Sequence, residues 1–71
     1  MENNLFAVIY ELKILYHPFT KNIETVYASS FDMAIQYVIE DKKKNYHYLP
    51  DDAVKIKILA VINLGESENV Y

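Results

Sequence analysis

Two histidines, His17 and His47, with the adjacent carboxylates Asp51 and Asp52, are the side chains in this chain best suited to ligate a metal. The hydroxyls of Ser29 and Ser30 are the best placed to act as nucleophiles. Neither histidine has a second ligand at the close helical or loop spacing of a zinc site. With no cysteine, the chain has no thiolate nucleophile, Cys₄ zinc site, iron–sulfur cluster or disulfide. Ser29 and Ser30 stand just before an apolar run, where the first amides of a helix need acceptors, and no activating base lies near them in sequence. The pairs Glu40-Asp41 and Asp51-Asp52 have the chemistry for acid–base work, but adjacent residues on a helix point apart. The single glycine, Gly65, comes too late for a glycine-rich loop to cradle phosphate before a helix. The expectation is a chain that is not an enzyme, with no catalytic residue, metal, cofactor or small-molecule substrate.

One segment has binding chemistry. In Lys42-Lys43-Lys44-Asn45-Tyr46-His47-Tyr48, cations are interleaved with rings, which is how single-stranded nucleic acid is held. Against that reading, ten acidic residues outweigh seven basic ones and leave a formal net charge of -3, whereas general affinity for phosphates needs a basic excess. Lysines in the last turn of a helix also have an ordinary role beside its negative end. Seven tyrosines are present, and rigid amphipathic rings are favoured anchors in protein interfaces. Tyr37, Lys42, Lys43, Lys44, Tyr46 and Tyr48 are therefore candidate contacts for a protein partner, with nucleic-acid binding through Lys42 to Tyr48 as the alternative.

The elements that position these residues can be read from periodicity. From Leu5 to Tyr16 the even positions Phe6, Val8, Tyr10, Leu12, Ile14 and Tyr16 form one apolar face of a strand. His17 to Asn22, with Pro18, forms a turn, and Ile23 to Ala28 a short edge strand of β-branched and aromatic residues. A helix from the serine caps to about Lys44 carries Phe31, Ala34, Ile35 and Val38 at the i, i+3, i+4, i+7 spacing of a buried stripe. Asn45 is suited to end it in the left-handed conformation. After a loop from Tyr46 to Asp52, a last strand runs from Val54 to about Asn63. The whole is expected to be one domain over residues 1–71, with polar, flexible ends at 1–4 and 65–71.

The order strand, strand, helix, strand implies an α+β fold, β-β-α-β. A hairpin followed by a right-handed crossover gives a three-stranded antiparallel sheet of order 2-1-3, with the helix on one face. The two longest strands are each apolar on both faces over half their length: Leu5, Ala7 and Ile9 in the first, Leu59 and Val61 in the last. A strand covered on one side should be polar on the other, so these halves predict a second buried face. Placed side by side with Ile9 near Leu59, they merge into one patch of Leu5, Ala7, Ile9, Leu59 and Val61 away from the helix, and Glu11 then faces Lys57. A 71-residue chain buries only about 60% of its unfolded surface, so a twofold homodimer that covers this patch with its own copy is the economical remedy.

The stretch from Val26 through Ser29 and Ser30 to Ile35, a strand passing through serine caps into a helix, resembles a feature of many small phage-encoded accessory proteins. The whole layout, an acidic single domain with a hairpin, a helix and a last strand, is similar to the small Bacillus-phage inhibitors of uracil-DNA glycosylase. That resemblance implies a DNA-mimicking dimer that occupies an enzyme's DNA groove. This chain differs from that family in its smaller acidic excess and in the run Lys42 to Lys44. The functional expectation is a non-catalytic homodimer that binds and inhibits a host protein such as a DNA-processing or defence enzyme. No run reaches the ~18 apolar residues of a membrane span and the first residues lack a secretory pattern, so the expected location is the host cytoplasm, away from membranes.

Overall fold

The computed structural model describes residues 3–66, which form β1 (Asn4–Ile14), β2 (Thr20–Ala28), α1 (Phe31–Asn45), a single 3₁₀ turn (Asp51–Ala53) and β3 (Val54–Glu66). The fold is α+β. β1 pairs antiparallel with both neighbours, giving one sheet of order β2-β1-β3. The central position goes to the strand with the most continuous apolar face, because only that strand is flanked on both edges. Phe6, Ala7, Val8, Tyr10 and Leu12 are buried along it.

α1 crosses the face presented by the even residues of β1. Ala34 and Val38 are fully buried there, being small enough to let the helix backbone approach the sheet. Ile35 is half-buried, whereas Phe31 is half-exposed and closes the end of the core edge to face against Phe6, with ring centroids 5.0 Å apart. Val26, Met33, Tyr46, Val54, Ile56, Ile58 and Val61 pack around this centre.

The boundaries differ from the sequence reading where local backbone chemistry intervenes. β1 stops at Ile14 because Leu15 adopts a left-handed conformation (φ 56), held by its amide donating to the Ala53 carbonyl at 2.7 Å. β2 starts three residues earlier than expected, Thr20 being already paired with Leu12. The helix includes Asn45, and its cap is Tyr46 at φ -116, so no left-handed residue ends it. β1 begins at Asn4 and β3 continues through Gly65 (φ 111) to Glu66, so these residues of the two polar ends belong to strands. The remainder of those ends, 1–2 and 67–71, lies outside the described residues.

Ser30 is the N-cap, its hydroxyl accepting from the Met33 amide at 3.2 Å. Ser30→Ala should therefore lower stability by about 1 kcal/mol in urea unfolding, and Ser29→Ala by no more than a few tenths. Equal losses at the two serines would contradict this assignment.

Candidate functional site

The helix covers one face of the sheet and leaves the other open. On the open face β1 contributes Leu5, Ala7 and Ile9. In β2, Tyr27, Thr25 and Ile23 are their Cα partners, and in β3 Ile62 pairs with Ala7 and Ala60 with Ile9. Ile23 and Ile62 are 65% and 47% exposed, and Tyr27, Thr25 and Ala60 are exposed as well. Leu5, Ala7 and Ile9 lie where the sequence placed them. Val61 does not: it pairs with Val8 and packs into the core beneath the helix.

The reason is a register shift between Ile9 and Tyr10, where Leu59 is an extra residue in β3. Up to Ile58 the even residues of β3 face the helix; beyond the bulge the odd residue Val61 does, and Ala60 and Ile62 turn to the open face. Leu59 itself is exposed. The part played by β2 was hidden in the sequence, because its two faces, Ile23-Thr25-Tyr27 and Glu24-Val26-Ala28, offer no clear choice of which to bury. The structure turns the face bearing Glu24 inward.

The far end of the open face is charged. Glu11 is the Cα partner of Lys21 on one side and of Lys57 on the other, and in the next row Lys13 stands opposite Lys55. The Glu11–Lys57 pairing is the expected one. Among the described residues, however, the ion pairs all belong to Lys42, so none of these four lysines has an acidic partner within 4.0 Å. The Lys13 ammonium lies 5.8 Å from the Phe19 ring centroid.

Between the helix and β2 the inward-turned Glu24 builds a half-buried polar cluster. The buried Tyr10 hydroxyl donates to Glu24 Oε2, and Lys42 Nζ reaches the same oxygen. Lys42 also lies 5.8 Å from the Tyr10 ring centroid. Position 42 continues the buried line of Ala34 and Val38 at i+4 spacing, so this lysine points inward instead of outward toward a partner as the sequence reading had it. Burial pushes the Tyr10 hydroxyl above its usual value, and the bond to Glu24 reinforces the shift. At Glu24 burial works to raise the carboxyl, but the hydrogen bonds from Lys42 and Tyr10 outweigh it and hold the group below its usual range. The hydrogen bond to Glu24 lifts the Lys42 ammonium well above the usual lysine value. A protonated, inaccessible phenol and a neutralised carboxylate make a tether between helix and edge strand.

The run from Lys42 to Tyr48 thus does not act as one strip. Successive helical residues are about 100° apart, so the three lysines diverge. Lys42 is in the cluster, Lys44 is exposed, and Lys43 borders a pocket of about 190 Å³ formed with Ile39, Tyr46, His47, Leu49 and Pro50. Tyr46 is half-buried, whereas Tyr37 and Tyr48 are exposed. The pocket is smaller than the roughly 300–1,000 Å³ of small-molecule sites. His47 Nδ1 lies 3.1 Å from the Lys44 carbonyl oxygen, and the described residues contain no group of three acidic, histidine or cysteine side chains that could hold a metal. No helix among the described residues is long and apolar enough to cross a membrane.

No protein family, curated protein or solved structure is similar enough to this chain to count as a match.

The cluster dictates a pH profile. Glu24, held below its usual 4.5, contributes stability above that value and loses it as the pH falls through its lowered folded value. Tyr10 and Lys42, raised above their usual 10.0 and 10.5, contribute below those values and lose it in strong alkali. Urea unfolding should accordingly show a plateau between about pH 5 and pH 9. Lys42→Met should cost about 2 kcal/mol and move the acid limb to higher pH, and adding Glu24→Leu should recover most of the loss. An unshifted acid limb in Lys42→Met would show that the ammonium does not control Glu24.

Proposed function

We propose that this chain is a non-catalytic protein-binding module that works as a homodimer, joined through the open face of its sheet. The observation that carries the reading is the contiguous apolar surface of Leu5, Ile9, Ile23, Tyr27, Ala60 and Ile62 on a face that no element among the described residues covers. Each large aliphatic residue gains about 1.5–3 kcal/mol from full burial, and contiguous exposed apolar surface marks interaction sites. A twofold axis lets this surface cover its own copy.

Dimensions bear on how much of the face is used. Three strands about 4.8 Å apart, with the rows from Leu5 to Lys13 rising about 3.3 Å per residue, span about 14 Å by 30 Å, or about 420 Å² before side-chain relief. A specific interface buries at least about 1,200 Å² over both partners, so the dimer has to engage the whole face and not its apolar half alone. The helix side stays outward, where the exposed rings of Tyr37 and Tyr48 are suited to anchor a second protein, in the fuller reading a host protein that the dimer inhibits.

Sedimentation of the native chain at micromolar concentration should give a dimer. Combining Ile23→Glu with Ile62→Glu should give a monomer with an unchanged circular-dichroism spectrum, since both side chains lie outside the core. A native chain that sediments as a monomer overturns the proposal.

A further inference from the structure

The open face carries a second chemistry beside its apolar rows, and we propose that its lysine end is a binding site for single-stranded nucleic acid. The chain has seven basic residues, all of them lysines. Three lie in the last turn of the helix, and the other four, Lys13, Lys21, Lys55 and Lys57, all stand on this one patch around the single carboxylate Glu11. A chain of net charge -3 thus gathers a local excess of cations at one end of one face. Attraction for phosphates follows the local field, so the acidic total does not exclude it. Lys13 directly opposite Lys55 is a like-charge cross-strand pair, which weakens the sheet unless an anion lies over it.

Rings stand among these cations. Phe19 precedes Thr20, the Cα partner of Leu12, and so comes beside Lys13, whose ammonium is 5.8 Å from the centroid of its half-exposed ring. Tyr16, in the turn that joins β1 to β2 at the same end, is 98% exposed, a ring the fold does not use. The lysines occupy two rows about 7 Å apart along the strands and spread about 10 Å across them, which suits successive phosphates better than one isolated anion. Cations interleaved with exposed rings meet both needs of a single strand: the lysines neutralise its backbone, and its bases stack on the rings. A duplex fits worse, because a flat sheet face offers no helix or ribbon to enter a groove. An acidic peptide would use the lysines but leave Tyr16 and Phe19 without flat partners. The site shares its face with the dimer contact proposed above but does not rest on it. A second copy that engages the whole face covers the lysine end too, so strand and second copy exclude each other there.

The test uses the full chain and the fluorescence anisotropy of an end-labelled oligodeoxythymidine of about twelve nucleotides, over a series of salt concentrations. The strand should be retained at low salt, with the logarithm of the affinity falling against that of salt at a slope of about -3, as four neutralised phosphates require. Lys55→Gln with Lys57→Gln should weaken binding at least about tenfold and halve the slope, in a fold no less stable to urea than the native one. Lys43→Gln with Lys44→Gln, on the helix and at the same net charge, should change binding less than about twofold. Tyr16→Ala should weaken it about fivefold with the slope unchanged. No binding at low salt, equal losses from the sheet and helix variants, or displacement by polyglutamate as readily as by unlabelled strand overturns the inference. In sedimentation, bound strand should convert dimer to monomer, and a dimer that keeps both subunits with the strand bound places the strand elsewhere and overturns it as well. A native chain that sediments as a monomer yet retains the strand removes the dimer and supports this site.

Discussion

One fifteen-residue helix can cover only one face of a three-stranded sheet, and the central strand of this sheet is apolar on both. That imbalance sets the terms for the rest of the molecule. The helix side has enough small and branched residues, Ala34 and Val38 above all, to close over Phe6, Val8 and Tyr10. Among the described residues no element closes in the same way over Leu5, Ile9, Ile23 and Ile62. The hydrophobic effect is non-directional, so this surface by itself specifies only that it be covered.

The covered side solves a different problem. A helix held only by small apolar contacts can slide along a sheet at little cost, whereas Lys42 on Glu24, with Tyr10 beneath, defines one position along and across the strands. A half-buried ion pair adds little net stability, since desolvation offsets most of the attraction, but leaving either partner alone is costly. Placing Glu24 on β2 and Lys42 near the end of α1 ties the edge strand, otherwise held on one side only, to the helix that follows it.

Much of this architecture is visible in the sequence because it depends on short-range regularities. The even residues of β1, the serine cap and the spacing of Ala34 and Val38 each report on one element and its covered side, and together they fix the strand order. Two features escape such reading. The bulge at Leu59 reverses the faces of β3 midway, and alternation in the sequence continues through it without a mark, so periodicity puts Val61 on the open face and passes over Ile62. The second is Lys42, which begins a run of three lysines and reads as solvated; its inward direction depends on Glu24, eighteen residues away and itself on a strand whose facing is ambiguous. Pairwise contacts between distant elements leave no periodic trace.

The two register shifts in β3 bear on more than side-chain facing. β3 is the longest strand and lies at a border of the sheet, where its outer row of amides and carbonyls is a template for adding further strands without limit. Irregularities at Leu59 and Leu64 break the even spacing that such addition requires and increase the local twist. A chain with this much uncovered aliphatic surface runs an evident risk of fibrous aggregation, and the kinked border makes open-ended strand addition harder.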